Sequence, residues 1–263
     1  MKGARFPEAT YPSLKTLLGR TAESDVVQRF LEQHPTNKLV PSNRSTLAFQ
    51  HGDSTYTVEE LVAMQLVNIK SQAEKMAEEK IKELVLTVPA FWTEQERRAI
   101  VDAAELAGMR VSTLIQDGLA GIHMGLASLM VVAINYGTTR TFAEEPQYHL
   151  IYDMGAGSTT ATVVSFSSRT VKEGRSNKTV IDIATHGLGY DRELGGDLFN
   201  ARLVETLVEA FRTSKSGAKA KTDIKSDGRA FARLFKEASR VKHVLSANTE
   251  TMASVHPSSF KLD

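Results

Sequence analysis

The chain is 263 residues long, 41% hydrophobic and 24% charged, a composition that suits a globular protein of one large or two medium domains and excludes disordered and collagen-like classes. Lysine plus arginine (32) nearly cancels aspartate plus glutamate (31), so no long-range field draws the chain to nucleic acid or to an anionic membrane surface. Without cysteine there is no disulfide framework and no thiolate metal site, and redox compartment leaves no trace in the sequence.

The opening stretch, MKGARFPEATYPSLK, lacks the apolar core of a signal peptide, and the most apolar segment, 118–136, is interrupted by glycines. No membrane insertion and no targeting segment are therefore expected, and the chain as written reads as cytoplasmic. Two sequons, Asn43-Arg44-Ser45 and Asn177-Lys178-Thr179, would accept glycans in a secretory compartment.

In chain order, the first clear element runs from Thr57 to Lys82, where Leu61, Val62, Met64, Leu66, Val67 and Ile69 recur at helical spacing between charged residues. Next comes Leu84-Val85-Leu86-Thr87-Val88-Pro89, an apolar run ended by proline, which predicts a strand buried on both faces. Thr93 to Gly108 opens with a Thr/Glu capping box and closes on glycine, so both ends of a helix are marked. Val111 to Ile115 follows as a strand, and this βαβ alternation predicts an α/β fold around a mainly parallel sheet.

The polar stretch 138–147, with Glu144-Glu145-Pro146, reads as a linker. Beyond it, Tyr148–Asp153, Ala161–Phe166 and Val180–Thr185 are strands whose short connections predict antiparallel pairing. Ser214 to Asp227 is rich in lysine and serine and reads as an exposed loop, and Arg229 to Ser246 as a helix.

The chemical focus is Ile151-Tyr-Asp153-Met-Gly155-Ala-Gly157-Ser158-Thr159-Thr160, ahead of the apolar strand Ala161-Thr-Val-Val. A turn of small residues between buried strands lets backbone N–H groups converge into a nest for phosphate, with hydroxyl donors from Ser158 and Thr159. Asp153, at the end of the incoming strand, is placed to hold Mg2+ through water. No lysine follows the glycines, against a P-loop, and a strand rather than a helix follows, against a dinucleotide-binding turn. A purely structural hairpin is the other reading of these residues.

The turn resembles the second phosphate loop of the 70-kilodalton heat-shock chaperone family, whose usual form is D-L-G-G-G-T-F-D. TVPAFWTEQERRAIVDAAELAGM (87–109), LGGDLFNARLV (194–204) and EASRVKHVLSAN (237–248) resemble further motifs of that family in the same order. YPSLKTLLG, QDGLA, VAINYG and YDMGAGSTT are similar to its large endoplasmic-reticulum branch, the hypoxia-up-regulated or glucose-regulated exchange chaperones.

This resemblance implies the actin-like ATPase, ribonuclease-H-like, two-lobed fold, incomplete at both ends. Residues 1–137 would form part of lobe I, 138–147 the interlobe loop and 148–263 part of lobe II. It also implies an endoplasmic-reticulum lumen address, unfolded client proteins and a lumenal partner chaperone of the same family, with ATP/ADP and Mg2+ as cofactors. By the same resemblance, Lys15 orients the attacking water and contacts the γ-phosphate, and Asp117 sits near the metal and the interlobe switch. Asp153 is the metal carboxylate, with Gly155, Ala156, Gly157 and Ser158 around phosphate. Gly195, Gly196, Ser239, Lys242, His243 and Ser246 bind the nucleotide, and Lys242 and Ser246, four apart, share a helix face.

Several positions depart from the family. Thr160 replaces its second loop aspartate, Ala156 a glycine, and Ser239 a glutamate, so chemistry is expected to be weaker than binding, because phosphoryl transfer depends on placement and electrostatics. With about half of the family's nucleotide site in the chain as written, hydrolysis by it alone is expected to be weak or absent. The family's first phosphate loop is expected ahead of residue 1, and its second adenosine loop and peptide-binding domain beyond Asp263. Residues 121–131, GIHMGLASLMV, intervene between QDGLA and VAINYG and would lengthen a helix by ~16 Å with nearly the same buried face. His123 within them reads as a core or interface residue. The alternatives to an ATP-binding chaperone or exchange-factor domain are a non-catalytic interaction module and an actin-fold sugar kinase.

Overall fold

The structure, a computed structural model, describes residues 6–117, 136–137, 139–174, 176–214, 217, 224–225 and 227–254, without the side chains of 115–117. The insertion expected at 121–131, with His123, lies outside the described residues. Two compact units divide the chain: residues 1–62 together with 195–263, and residues 63–194. Residues 138–147 fall inside the second.

The first unit begins with a short 310 turn (Pro7–Ala9), α1 (Leu14–Leu17) and α2 (Asp25–Gln33), followed by β1 (Lys38–Pro41), β2 (Leu47–His51) and β3 (Ser54–Thr57). These strands form an antiparallel meander in the order β1-β2-β3. Leu47, Ala48 and Phe49 of β2 are buried, and Phe49 takes the rings of Tyr11 (5.0 Å) and Phe30 (5.8 Å) edge-on. α3 (Val58–Ala77) starts here, with Val58, Leu61 and Val62 buried.

The remainder of this unit is α5 (Gly196–Thr213) and α6 (Gly228–Leu245). Val204 and Val208 of α5 pack on Ala230, Phe231, Leu234 and Ala238 of α6, which is the i, i+4 stripe a helix pair needs. Asp227 caps α6 by accepting from the backbone N–H groups of Arg229 and Ala230.

The second unit holds the rest of α3, then β4 (Glu83–Pro89), α4 (Glu94–Leu106) and β5 (Arg110–Asp117). Thr93 and Glu96 close the capping box of α4 as its sequence predicts. At the other end Gly108 takes φ +68, and Met109 N and Gly108 N donate to the carbonyls of Ala104 and Glu105. That is the 6→1 and 5→2 pair of a Schellman motif. β4 and β5 pair in parallel across this helix.

β6 (Gln147–Met154), β7 (Thr159–Glu173) and β8 (Ser176–Asp191) complete the second unit as an antiparallel sheet in that order. Its core is Val164 and Phe166, with Tyr136, Phe142, Ile151, Ile181 and Ile183 around them.

Four expectations are corrected. The sheet is not mainly parallel: of the strand pairings among the described residues only β4–β5 is, because the remaining strands are joined by connections too short for a crossover. β4 is not buried on both faces, since Val85 is 55% exposed in a sheet of two strands. The apolar stripe of α3 is only partly covered: Leu61 and Val62 are buried and Leu66 packs on Ala107 and Met109, but Met64, Val67 and Ile69 are exposed. Ile224, inside the presumed loop 214–227, is buried against α5 and α6. The meander at 38–57 was not expected from the sequence, because β1 and β3 are only four residues long and β3 carries a single aromatic among Ser and Thr.

His34, just after α2, lies between the rings of Phe30 (4.7 Å) and Phe235 (5.7 Å), and burial pushes its imidazole down to about 4. A histidine held neutral in the folded state contributes stability that is complete above its ordinary value and is lost as pH falls through the lowered one. We expect the first unit to lose up to about 3 kcal/mol between pH 6.5 and pH 4. Hydrogen exchange at α2 and α6 amides across that range should show this loss in the unaltered chain and a flatter profile in His34→Gln.

Candidate nucleotide-binding site

The predicted site residues fall in both units, and each group has its own local architecture. In the second unit, the ladder β6–β7 pairs Asp153 with Thr160 and Met154 with Thr159, leaving Gly155, Ala156, Gly157 and Ser158 as the connecting turn. Gly155 N donates to Ser158 O at 2.9 Å, which closes the turn. Asp153 stands at its mouth with an exposed side chain that enters no hydrogen bond or ion pair among the described residues.

Gly155 does not have the left-handed φ that would demand glycine. A Cβ built there would meet only Ser158 O, at 3.7 Å, an ordinary contact. Nothing in the described residues requires glycine here; close approach of a ligand to the backbone would.

Directly behind the turn the start of β7 carries three buried threonines. Thr159 Oγ1 donates to Leu194 O at 2.6 Å, but the hydroxyls of Thr160 and Thr162 are buried without a partner among the described residues. Thr160 is the position where the resemblance expects a carboxylate. Its hydroxyl faces protein interior, so the residue offers neither charge nor a solvated donor at this point.

Asp117 closes β5, in register with Pro89 of β4, and its side chain lies outside the description. Between β4 and α4, Arg97 donates through Nε to Trp92 O (3.1 Å) and through one terminal nitrogen to Pro89 O (3.3 Å) and Ala90 O (3.1 Å). From the first turns of α4, Arg97 thus uses its fork of donors to brace the bend after Pro89.

In the first unit, Gly195 is the extended N-cap of α5 and Gly196 its first residue. Lys242 on α6 reaches across and donates from Nζ to Gly196 O at 2.9 Å, so these predicted residues do come together. Ser239, Lys242 and His243 occupy the last turns of α6, and Ser246 is its C-cap, donating its hydroxyl to His243 O at 2.6 Å. Lys15 sits exposed on α1, and no hydrogen bond or ion pair joins it to α5 or α6 among the described residues.

The same place holds two residues that the sequence reading passed over. Burial pushes the Asp197 carboxyl above the usual carboxylate range, against the opposing pull of the Lys242 ammonium and the hydrogen bond from Asn200. Asn200 is itself buried, and its Oδ1 has no partner among the described residues. An ammonium, a carboxyl and an orphaned amide oxygen at one helix N-terminus form a donor and acceptor set suited to hydroxyl or amino groups. The signal in the sequence was the polar pair Asp197 and Asn200 at i, i+3 in the first turns of the helix.

The Hsp70 protein family pattern matches residues 2–263, nearly the whole chain. The chain belongs to the Hsp70 family. Among its relatives are hypoxia up-regulated protein 1 of Danio rerio, 38% identical over 253 residues, 95% of this chain and 24% of that protein. Heat shock protein 70 homolog lhs1 of Schizosaccharomyces pombe is 36% identical over 255 residues, 95% of this chain and 28% of that protein. Hypoxia up-regulated protein 1 of Xenopus laevis is 37% identical over 253 residues, covering 95% and 36%. The chain thus spans between 24% and 36% of the length of these relatives. Membership in the Hsp70 family carries the actin-like ATPase fold, with which the mixed α/β architecture and its several sheets agree. No helix among the described residues is long and apolar enough to cross a membrane.

If Gly155 is glycine for the sake of a ligand, Gly155→Ala should separate folding from binding. We expect a thermal midpoint unchanged or slightly raised, and Mg-ADP affinity weakened about tenfold or more, read by scanning and titration calorimetry.

Proposed function

We propose that this chain is the ATP/ADP-binding part of a heat-shock-type chaperone or nucleotide exchange factor that assists protein folding in the endoplasmic reticulum. The observation that carries the proposal is the turn from Asp153 to Ser158: two paired strands present a four-residue loop of small side chains, with a carboxylate at its mouth and a glycine that the fold itself does not require. Phosphate would meet backbone N–H groups and the Ser158 hydroxyl there, and Mg2+ would neutralise phosphate charge next to Asp153. Among the described residues no three carboxylates or imidazoles cluster as a metal cage, which suits an ion held by one carboxylate, phosphate oxygens and water.

On this reading Gly195, Gly196, Ser239, Lys242, His243 and Ser246 bind the adenosine end, and Lys15 and Asp117 serve the γ-phosphate and the metal. Lobe I would comprise 1–137 and lobe II 148–263, joined by 138–147. The lumenal address, the unfolded clients and the partner chaperone of the same family come to this chain from the resemblance to the hypoxia-up-regulated branch. Asn43 and Asn177 are both exposed, the first in the β1–β2 turn and the second near the tip of the β7–β8 hairpin, where a glycan would have room.

A second reading, a non-catalytic interaction module, is favoured by Thr160. Its buried hydroxyl supplies no charge where a metal-site carboxylate is expected, so turnover should be slow even with nucleotide bound.

Titration calorimetry with ADP in the presence and absence of Mg2+ decides between binding and its absence. Measurable heat that Mg2+ strengthens and that Asp153→Ala returns to the Mg2+-free value supports the proposal; no heat under either condition overturns it. Single-turnover hydrolysis with Thr160→Asp tests the second reading: a rise of about tenfold or more assigns the slow chemistry to this position.

A further inference from the structure

The start of β7 is anchored at a point that neither the turn nor the family motifs explain. β8 ends at Asp191, directly opposite Thr159 in the ladder. Asp191 Oδ1 then accepts from Glu193 N (2.8 Å) and Leu194 N (2.9 Å), folding 191–194 into a tight turn, and Leu194 O receives the Thr159 hydroxyl at 2.6 Å. Those two backbone donors hold the Asp191 carboxyl below its usual range.

From the middle of that turn the Arg192 side chain leaves the sheet and meets the N-terminus of α4. One terminal nitrogen donates to Phe91 O, and the other lies 3.4 Å and 3.5 Å from the two oxygens of Glu96. The Glu96 side chain is 3% exposed and that of Arg192 27%. The guanidinium also lies 4.8 Å over the ring of Phe91, which stacks on Tyr190 at 5.0 Å. Glu96 is already engaged, since its Oε2 accepts from Thr93 N (2.7 Å) and Thr93 Oγ1 (2.9 Å) as the capping box of α4.

We propose that Arg192 is a positioning residue for the phosphate turn, fixing the Thr159 side of that turn to the capped end of α4 through Glu96 and Phe91; this rests on the reading that the turn holds phosphate. Only a planar fork can serve the Phe91 carbonyl, the Glu96 carboxylate and the Phe91 ring together; a lysine ammonium would reach one of them. The pair is shielded enough that removing one partner leaves a charge uncompensated near the protein interior. Motion at the Pro89–Phe91 bend would therefore be felt at Thr159, and motion of the turn at the bend.

The test uses the whole chain and compares Arg192→Gln, Arg192→Lys, Glu96→Gln and the double variant Glu96→Gln/Arg192→Gln. Glutamine at 96 preserves the capping box, so it removes the charge partner of Arg192 without uncapping α4. Hydrogen exchange at the amides of 155–160 and 193–194 should quicken about tenfold in Arg192→Gln and in Glu96→Gln, with no further gain in the double variant, as coupled residues require. Arg192→Lys should fall between, and Mg-ADP affinity should weaken at least about fivefold in Arg192→Gln at a temperature where circular dichroism shows all variants folded. Unchanged exchange in Arg192→Gln, additive effects in the double variant, or quickened exchange with unaltered affinity would each overturn the inference. If the unaltered chain binds no nucleotide, the phosphate-site reading fails, and the exchange arm alone then judges the clasp.

Discussion

The pairing of Met154 with Thr159 is the constraint on which the site depends. It fixes the connection between β6 and β7 at four residues and sends the chain back antiparallel, so the small residues 155–158 stand at the end of the ladder rather than within it. A register slip by one residue would turn every side chain of β7 to the opposite face. Val164 and Phe166 would leave the core they share with Phe142 and Ile183, and Thr159 would lose Leu194 O. Burial of those aromatic and branched side chains therefore holds a loop that has almost no side chains with which to hold itself.

The outer side of the same sheet is held differently. β7 and β8 pair over fifteen positions with one irregularity between Val163 and Val164, which leaves His186 as the extra residue. His186 Nε2 lies 2.7 Å from Ser165 Oγ and its ring 4.9 Å from that of Tyr148, so the irregularity carries its own polar and aromatic contacts. Beyond it the ladder runs on to Asp191, and the chain leaves the sheet through a turn made by the Asp191 carboxylate itself. Glu96 then acts twice: its position in the first turn of α4 suits a carboxylate by the helix dipole, and the same carboxylate receives Arg192. Helix capping and sheet termination meet on one side chain.

The first unit solves a similar problem with a helix pair. Lys242 spans from α6 to the first turn of α5 because Val204 and Val208 on one helix, and Leu234 and Ala238 on the other, bring their axes together. The carbonyl of Gly196 could accept from water as readily as from an ammonium. The half-buried Asp197 beside it explains why a cation belongs there, since burial otherwise disfavours its charged form.

By itself, the sequence determined the features whose cause is local. Both ends of α4 were written in Thr93, Glu96 and Gly108, because caps are satisfied within a few residues of chain. The three strands around the glycine turn, and the turn itself, were equally legible, since alternating burial and small turn residues act over short range. The family was legible through motifs in order, and the match over residues 2–263 agrees with it. Tertiary structure alone decided the rest. Whether Val85 and Ile69 were buried depended on which element covered them, and among the described residues β4 has a single strand neighbour and the exposed face of α3 keeps Met64, Val67 and Ile69 uncovered. Ile224 looked like loop because it lies in a polar stretch rich in lysine, and it is core because it packs with α5 and α6. Arg192 and Glu96 are 96 positions apart, and a salt bridge across that separation has no periodicity or spacing to betray it. Only the fold puts them side by side.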